Sequence, residues 1–528
     1  MSRPPPARFF VTTPIYYANA EPHIGHTYTT VVADTLVRWH RLLGEDAFSV
    51  SGTDEHGEKM VEAAARRGLD PAAFTEAVSA TFQRTWAELG IAPGRFVRTT
   101  DPVHVRNVQT LLQRVYDEGW IEPREYEGLY CIGCERFLTE RDLEDGLCRD
   151  HERAPELRRE INYFFRMGRL FDRLRAHFES HPEFLRPERY RNEALAMLRD
   201  ESGLGDLSIS RPKARLAWGI ELPFDREHVC YVWFDALISY LTGAGWPDDP
   251  RFAERWASAT HLIGKDILKP HAIFWPTMLW AMGLEAPRAI RVHGYWNVDD
   301  RKVSKSLGNM VSPLAMRARY GFEPFRYFLL REMSFGLDAS FTEEALVERA
   351  NADLANNLGN LVSRTLNLVE RFCSGRVPEP GELLPFAELA RRLGVVADPT
   401  RVPMRRVEEA MASVQLHVAL GAIVEYASEV NRFLDAAAPW KRIKDPDQKR
   451  YAEAALYHAC QALRTLALLL APFLPATARG LAERVGSPDL LERARLPDDA
   501  EAWGRLAPGT PVAKGDPLFP RLELRPED

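Results

Sequence analysis

The sequence predicts an α/β protein: a doubly wound, Rossmann-like parallel sheet with an inserted zinc knuckle, followed by an α-helical bundle. Three observations carry this reading. Short apolar runs alternate with amphipathic helical stretches over residues 8–118 and again over 216–295, the rhythm of parallel βα units. A four-ligand cysteine and histidine pattern interrupts that alternation. From about residue 345 the apolar residues recur only at helical spacing.

The bulk properties set limits. A chain of 528 residues suits roughly three or four domains, and 45% hydrophobic with 27% charged residues suits large cores. Lys plus Arg number 68 against 75 Asp plus Glu, a net charge of −7. That argues against indiscriminate coating of nucleic acid but leaves room for a shaped RNA site with local basic patches. Six cysteines do not make a disulfide scaffold at this length. The start Met1-Ser2-Arg3-Pro4 lacks a signal peptide's apolar core, and the longest apolar run, 466–474, is too short and proline-broken to span a bilayer. A reducing, cytoplasmic setting without membrane contact is expected.

In chain order, Arg8 to Thr13 reads as a strand, followed by Pro22-His23-Ile24-Gly25-His26 opening a helix that stops at Gly44. Pro22 suits the first helical position. A helix start offers free N–H groups and partial positive charge to phosphate. His23 and His26 share a face there, and Gly25 leaves it bare; two helix-cap histidines on a solvated end account for the pattern equally well. A second strand, Ala47 to Ser51, leads into Gly52-Thr53-Asp54-Glu55-His56-Gly57. Asp54 falls at a strand end, where such sheets bind ligands. It suits a substrate ammonium or a helix cap. Helices are predicted from Asp70-Pro71, with Phe74, Val78, Phe82 and Trp86 inward, and from Asp101-Pro102, with Val108, Leu111, Leu112 and Val115 inward.

Between 119 and 215 lies Cys131-x2-Cys134-x13-Cys148-x2-His151. Two close pairs supply four ligands for a closed, structural, tetrahedral zinc site. Cys230, Cys373 and Cys460 are isolated and read as core residues. Val229 to Phe234 reads as a buried strand with a helix from Asp235; His261 to Ile267 reads as strand, tight turn at Gly264 and helix start. Of the aromatics and histidines that follow, Trp233 and His271 stand out as pocket residues from what is otherwise aromatic core. His293 to Val298 is a further strand. The loop Arg301 to Asn309 carries Lys302 and Lys305, point charges suited to a triphosphate or to solvent.

Leu354, Leu358, Leu361, Thr365, Leu368 and Phe372 trace one helical stripe; Val407, Ala410, Val414 and Val418 begin another, and Leu456, Leu463 and Leu470 a third. Residues 375–403 are proline-rich and read as connector. Asn360 and Arg364 share a helix face. Pro439-Trp440-Lys441-Arg442 sets an aromatic beside cations, which can hold unpaired RNA bases; a solvated polar face and a half-buried tryptophan explain these residues without a ligand.

Together these motifs resemble a class I aminoacyl-tRNA synthetase and, closely, a methionyl-tRNA synthetase. His23-Ile24-Gly25-His26 matches the first signature of the class and Lys302-Val303-Ser304-Lys305-Ser306 the second. Thr13 to Asn19, Gly52 to Gly57, Tyr231 to Ala236, His261 to Asp266, the one-knuckle spacing, Asn360/Arg364 and Pro439-Trp440 are all similar to the methionyl enzyme. The resemblance implies a methionine–tRNA ligase that forms methionyl-adenylate from methionine and ATP with Mg2+, then charges tRNA(Met), initiator included. It assigns His23, His26, Lys302 and Lys305 to catalysis, and Gly25, Gly264 and Asp266 with His23, His26 and Lys305 to ATP. Ile15, Tyr17, Asp54, Trp233, Ala236, Tyr240, Ile267 and His271 go to methionine, and Asn360, Arg364, Pro439 and Trp440 to the anticodon. One zinc is expected on Cys131, Cys134, Cys148 and His151.

The implied organisation is catalytic domain over 1–118 and 216–295, connective insertion over 119–215, lysine loop and stem contact over 296–345, and anticodon domain with C-terminal tail over 346–528. Val303 replaces the family's usual methionine, and Leu237 stands where some relatives carry proline. The end at Asp528 leaves no room for the dimerising domain of some relatives, so a monomer is expected. The insertion is too short for a large editing domain, which disfavours the leucyl, isoleucyl and valyl enzymes. Another class I synthetase or a small-molecule adenylyltransferase is the alternative; the latter leaves the bundle and knuckle unexplained. A zinc-dependent RNA-binding protein leaves the phosphate site unexplained.

Overall fold

A computed structural model of the protein describes residues 8–132, 136–138, 142–199, 204–298, 301–302, 310–381 and 398–525. The chain divides into two compact units, one of Arg8–Ala33 with Phe48–Gly294, the other of Asp34–Ala47 with the chain from Tyr295 onward.

The first unit is organised by a six-stranded sheet of β1 (Arg8–Tyr17), β2 (Asp46–Asp54), β3 (Arg95–Arg98), β4 (Leu185–Arg186), β5 (Ala259–Gly264) and β6 (Ala289–His293). Their spatial order is β3-β2-β1-β5-β6-β4. β1 runs parallel to β5 with Phe10 beside Ala259, and β5 parallel to β6 with Thr260 beside Ala289. The chain thus steps outward from β1 through β2 to β3, then returns to β5 on the other flank of β1 and steps outward again. The order reverses between β1 and β5, and an open sheet binds ligands in the crevice beyond the carboxyl ends at such a point. All six residues of β5 are buried, as expected for a strand covered on both faces.

Helix α1 (Ile24–Leu42) follows β1. The Thr27 amide donates to the His23 carbonyl at 3.0 Å, so His23 caps this helix and Pro22 precedes it rather than occupying its first position. Helix α2 (Pro71–Glu88) is capped by Asp70, whose carboxylate accepts from the amides of Ala72 and Ala73, and it buries Phe74, Val78, Phe82 and Trp86 as its period predicts. Helix α3 (Pro102–Asp117) buries Val108, Leu111, Leu112 and Val115.

Two elements differ from the sequence expectation. The apolar run from Val229 is split: a strand ends at Cys230, in a small antiparallel sheet with 210–212 and 221–222, and Val232–Ala244 is helix α4. Nearly every residue of α4 is buried, so its sequence has no polar face to mark a helical period. The stretch His293 to Val298 is two strands, β6 and Trp296–Val298, separated by Gly294-Tyr295; the second pairs with 301–302 and 339–341. The 119–215 region builds its own antiparallel sheet around Ile121–Cys131 and Glu156–Phe165, yet also supplies β4, the edge strand beside β6.

The second unit is mostly helical. Helix α5 (Phe322–Glu332) buries Phe325 through Leu330. A π-helical stretch, Ala350–Gly359, runs into α6 (Asn360–Phe372); Leu354, Leu358, Leu361 and Thr365 are buried, and Leu368 and Phe372 only partly so. The stripe from Val407 spans two helices, α7 (Met404–Ala412) and α8 (Leu416–Ala437), separated by a turn at Val414 with φ 58°. Helix α9 (Lys449–Leu470) buries Leu456, Leu463 and Leu470. Most of the expected connector, 382–397, lies outside the described residues. Among the described residues no helix is long and apolar enough to cross a membrane.

Candidate active site

The helix start at the carboxyl end of β1 is built from its own histidines. His23 and His26 stack with ring centroids 3.7 Å apart, and the His23 amide donates to His26 Nδ1 at 3.4 Å. The Gly25 amide donates to His23 Nδ1 at 3.1 Å. A Cβ on Gly25 would lie 3.0 Å from His23 Cε1, so the space left by glycine is taken by the imidazole folding back over the turn. Dehydration, with the adjoining His23, holds His26 well below the usual imidazole range, so it acts as a neutral hydrogen-bonding ring.

The same turn is tied to the neighbouring strand ends. Thr29, on the next turn of α1, bonds His293 Nε2 at 2.7 Å; His293 Nδ1 donates to the Gly294 carbonyl at 2.7 Å, so Nε2 accepts from the hydroxyl. Gly264, at the end of β5, faces the same ring: a Cβ there would lie 3.7 Å from His293 Cε1 and 2.6 Å from Asp266 Oδ1. A side chain at 264 would displace the exposed Asp266 carboxylate that folds over the strand end. On the other flank the Ala18 amide, just past β1, donates to the Asp54 carbonyl at 2.9 Å, which sets the buried Asp54 beside the end of β1.

Beneath this rim lies a web of neutral histidines. His271 Nδ1 donates to the Ile267 carbonyl at 2.9 Å, leaving Nε2 to accept from the Tyr240 hydroxyl at 2.7 Å. Trp275 Nε1 donates to His261 Nε2 at 3.0 Å, so Nδ1 carries the proton and bonds Thr12 at 2.7 Å. Tyr17, Trp233 and Ile267 are half-buried against the same apolar cluster that contains Tyr240 and Trp275. Ala236 is buried and Asp266 exposed. Ile15, at the end of β1, lies close to Gly52: a Cβ there would be 2.9 Å from Ile15 Cγ2. Lys59 lies over the Tyr17 ring at 4.7 Å.

Burial lowers His271 from 6.5 to about 4 and depresses His26, His261 and His293 as well. The unfolded chain therefore binds protons from about pH 6.5 downward, while folded His271 does so only near 4. Between those values the unfolded state takes up more protons, so stability falls as pH falls. The midpoint of thermal unfolding should drop steadily from pH 6.5 to 4, and His271→Gln should make that drop shallower; an unchanged slope would show that His271 is not buried neutral.

Two sequence-predicted groups are only partly visible. Cys131, Cys148 and His151 bring their ligand atoms within 4.8 Å of one another, with Cys148 Sγ 3.8 Å from His151 Nδ1. Two sulfurs and an imidazole at that spacing fit a tetrahedral site for a borderline-soft cation such as zinc. Cys134 lies outside the described residues, as do Val303 to Asn309 with Lys305; Lys302 is the last residue of a short strand paired with Asn297.

In the helical unit, Arg364 on α6 lies over the Trp440 ring at 4.5 Å and bonds Asp435 at 2.6 Å. Asn360, one turn earlier, is exposed; Pro439 is buried and Trp440 half-buried. Ala438, with φ 41°, ends α8 and turns the chain so that Pro439 starts the next short helix.

Sequence reasoning did not single out Glu55, His56, His104 or Asp235. Glu55 is fully buried and accepts from Arg98 at 2.8 and 3.0 Å and from Thr53 at 2.8 Å. An acidic residue embedded in an apolar run, as Asp235 is, was the available signal, because a buried charge needs partners.

Residues 9–152 and 141–366 match the family model of class I tRNA synthetases (M), and 393–525 match the anticodon binding domain of methionyl tRNA ligase. The methionine–tRNA ligase of Deinococcus radiodurans is 43% identical over 98% of this chain and 75% of its own length; that of Caldanaerobacter subterraneus is 40% identical over 98% and 80%. Methionyl-tRNA synthetase of Mycobacterium tuberculosis bound by methionyl-adenylate superposes with a TM-score of 0.90 at 38% identity, covering 97% of this chain and all of that one. Its apo form gives 0.84 at 35% identity, covering 98% and 99%.

Proposed function

The chain belongs to the methionyl-tRNA synthetase family of class I tRNA synthetases, and on that premise we propose how its residues divide the work of a methionine–tRNA ligase. The observation that supports the division most is the convergence at the β1–β5 crevice: the His23/His26 turn, the Gly264/Asp266 strand end, and His293 bonded to Thr29 between them.

In the first step the methionine carboxylate attacks the α-phosphorus of ATP and pyrophosphate leaves. Positioning and charge stabilisation carry such a reaction. His23 and His26, neutral and stacked, offer N–H groups to the phosphates at the start of α1. Gly264 lets adenosine approach the strand end, and Asp266 binds on the nucleotide side. Asp54 takes the methionine ammonium. Ile15, Tyr17, Trp233, Ala236, Tyr240, Ile267 and His271 enclose the thioether; the Tyr240–His271 bond keeps both polar groups paired within an apolar wall. Lys302 and Lys305 neutralise the leaving pyrophosphate, which Mg2+ accompanies. Cys131, Cys134, Cys148 and His151 would hold zinc, which would supply a structural crosslink to the knuckle.

In the second step the methionyl group passes to the end of tRNA(Met), initiator tRNA among them. The Arg364–Trp440 stack is a platform for an unpaired anticodon base, with Asn360 and Pro439 beside it. We assign the protein to the cytoplasm as a monomer.

Pyrophosphate exchange tested across the amino acids should respond to methionine, and charging of tRNA with methionine should follow; exchange with another amino acid alone would overturn the assignment. Stacking on an aromatic is worth about 1–3 kcal/mol per base. Trp440→Ala should therefore raise the KM for tRNA about ten- to a hundredfold while leaving tRNA-free exchange alone. An unchanged KM for tRNA would remove the anticodon role, and loss of both activities together would mark a folding defect.

A further inference from the structure

Asp235 lies at 0% exposure between two histidines from other elements. His56 Nδ1 is 2.7 Å from one carboxylate oxygen and His104 Nε2 is 2.7 Å from the other. Asn107 Nδ2 donates to the Thr242 hydroxyl at 3.1 Å, that hydroxyl bonds His104 Nδ1 at 3.1 Å, and His104 Nε2 donates to the Asp235 carboxylate. Asn107 and His104 lie on α3, and Thr242 and Asp235 two turns apart on α4, so the chain of bonds joins those helices at two levels. His56 brings in a third element, the turn after β2.

That turn follows directly on Asp54, the last residue of β2. It is locked from its far side too, because Trp218 Nε1 donates to the Glu55 carbonyl at 2.6 Å and the Glu55 amide donates to Thr99 at 3.0 Å. On α4, Trp233 lies two residues before Asp235 and Ala236 directly after it, and Tyr240 lies little more than one turn further. We propose that Asp235 is a positioning residue for amino-acid activation, its grip on His56 and His104 setting the distance between Asp54 and the pocket wall of Trp233, Ala236 and Tyr240. The inference rests on the assignment of those residues to methionine. A buried carboxylate is a costly way to hold a core together, since packed apolar residues of similar volume often serve as well or better. Its gain is directional: two bonds from one carboxylate fix the relative placement of three elements. Misplacing a bound reactant by about 1 Å can cost a hundredfold in rate.

The test is methionine-dependent ATP–pyrophosphate exchange by the full chain, varying methionine and ATP separately. Asp235→Asn should raise the methionine KM at least tenfold, leave the ATP KM within twofold, and keep the thermal midpoint near that of the parent. A methionine KM within twofold of the parent, or equal rises for both substrates, would overturn the proposal. Should Asp235→Asn fail to fold, His104→Gln and His104→Leu replace it. Glutamine keeps a donor for Asp235 and should stay close to the parent, while leucine should raise the methionine KM; equal behaviour of the two overturns the clamp. Asp54→Asn separates the two levels of inference. If it leaves the methionine KM unchanged, the methionine site itself is wrongly assigned. If it raises that KM and the Asp235 and His104 variants do not, the clamp alone fails.

Discussion

Lys305→Ala should lower methionine-dependent ATP–pyrophosphate exchange by about 10²- to 10³-fold, the loss that follows removal of one preorganised group aimed at a developing anion. The assignment comes from the second signature, Lys302 to Ser306. The charge on the transferring phosphates grows as pyrophosphate departs, so a lysine that meets it mainly then lowers the barrier more than it tightens ATP binding. The KM for ATP should therefore change much less than kcat, and circular dichroism should be unchanged. Lys305→Arg should recover part of the rate, because charge is retained while the compact ammonium is replaced by a planar fork. Exchange at the parent rate in Lys305→Ala would remove the residue from the mechanism.

Arg326→Ala destabilises the helical unit by about 3 kcal/mol or more, within the range for breaking a buried pair. The Arg326 side chain, on α5, is 1% exposed. Its guanidinium pairs with Asp34 at 2.6 Å and donates to the carbonyls of Phe473 at 2.6 Å and Pro472 at 3.0 Å, and to Thr35 at 2.9 Å. Truncation leaves both carbonyls without that donor and, among the described residues, leaves Asp34 its ion pair with Arg38 at 2.8 Å. The remaining pair keeps the cost near the lower end. Arg38→Ala is the contrast: its side chain is 30% exposed and its i,i+4 pair is worth under about 1 kcal/mol. Urea unfolding of the two variants should separate by several-fold in free energy; equal losses would mean that the Arg326 network carries no special weight. The Arg326 effect is a large part of the roughly 5–15 kcal/mol that a domain possesses.

The local elements were legible where the sequence carries its own punctuation. Asp70-Pro71 caps and starts α2, and the four-residue recurrence from Phe74 to Trp86 names its buried face. The knuckle spacing brought out Cys131, Cys148 and His151, whose ligand atoms do converge. Two signatures far apart in sequence carried the resemblance to the family that the comparisons show. Legibility failed where punctuation is missing. Helix α4 is apolar on every side and reads as well for a strand; β4 is two residues long and takes its place only through pairing with β6.

What the sequence by itself determined is therefore the start and buried face of punctuated helices such as α2 and the close pairing of the knuckle ligands. All of these are set by neighbours a few residues away. The tertiary structure alone decided that Gly264 faces His293, that Tyr240 donates to His271, and that Asp235 is held by residues 179 and 131 positions distant. The reason is physical: a buried polar group is stable only beside a complementary one, and the topology of the sheet, not the local pattern, chooses which group that is.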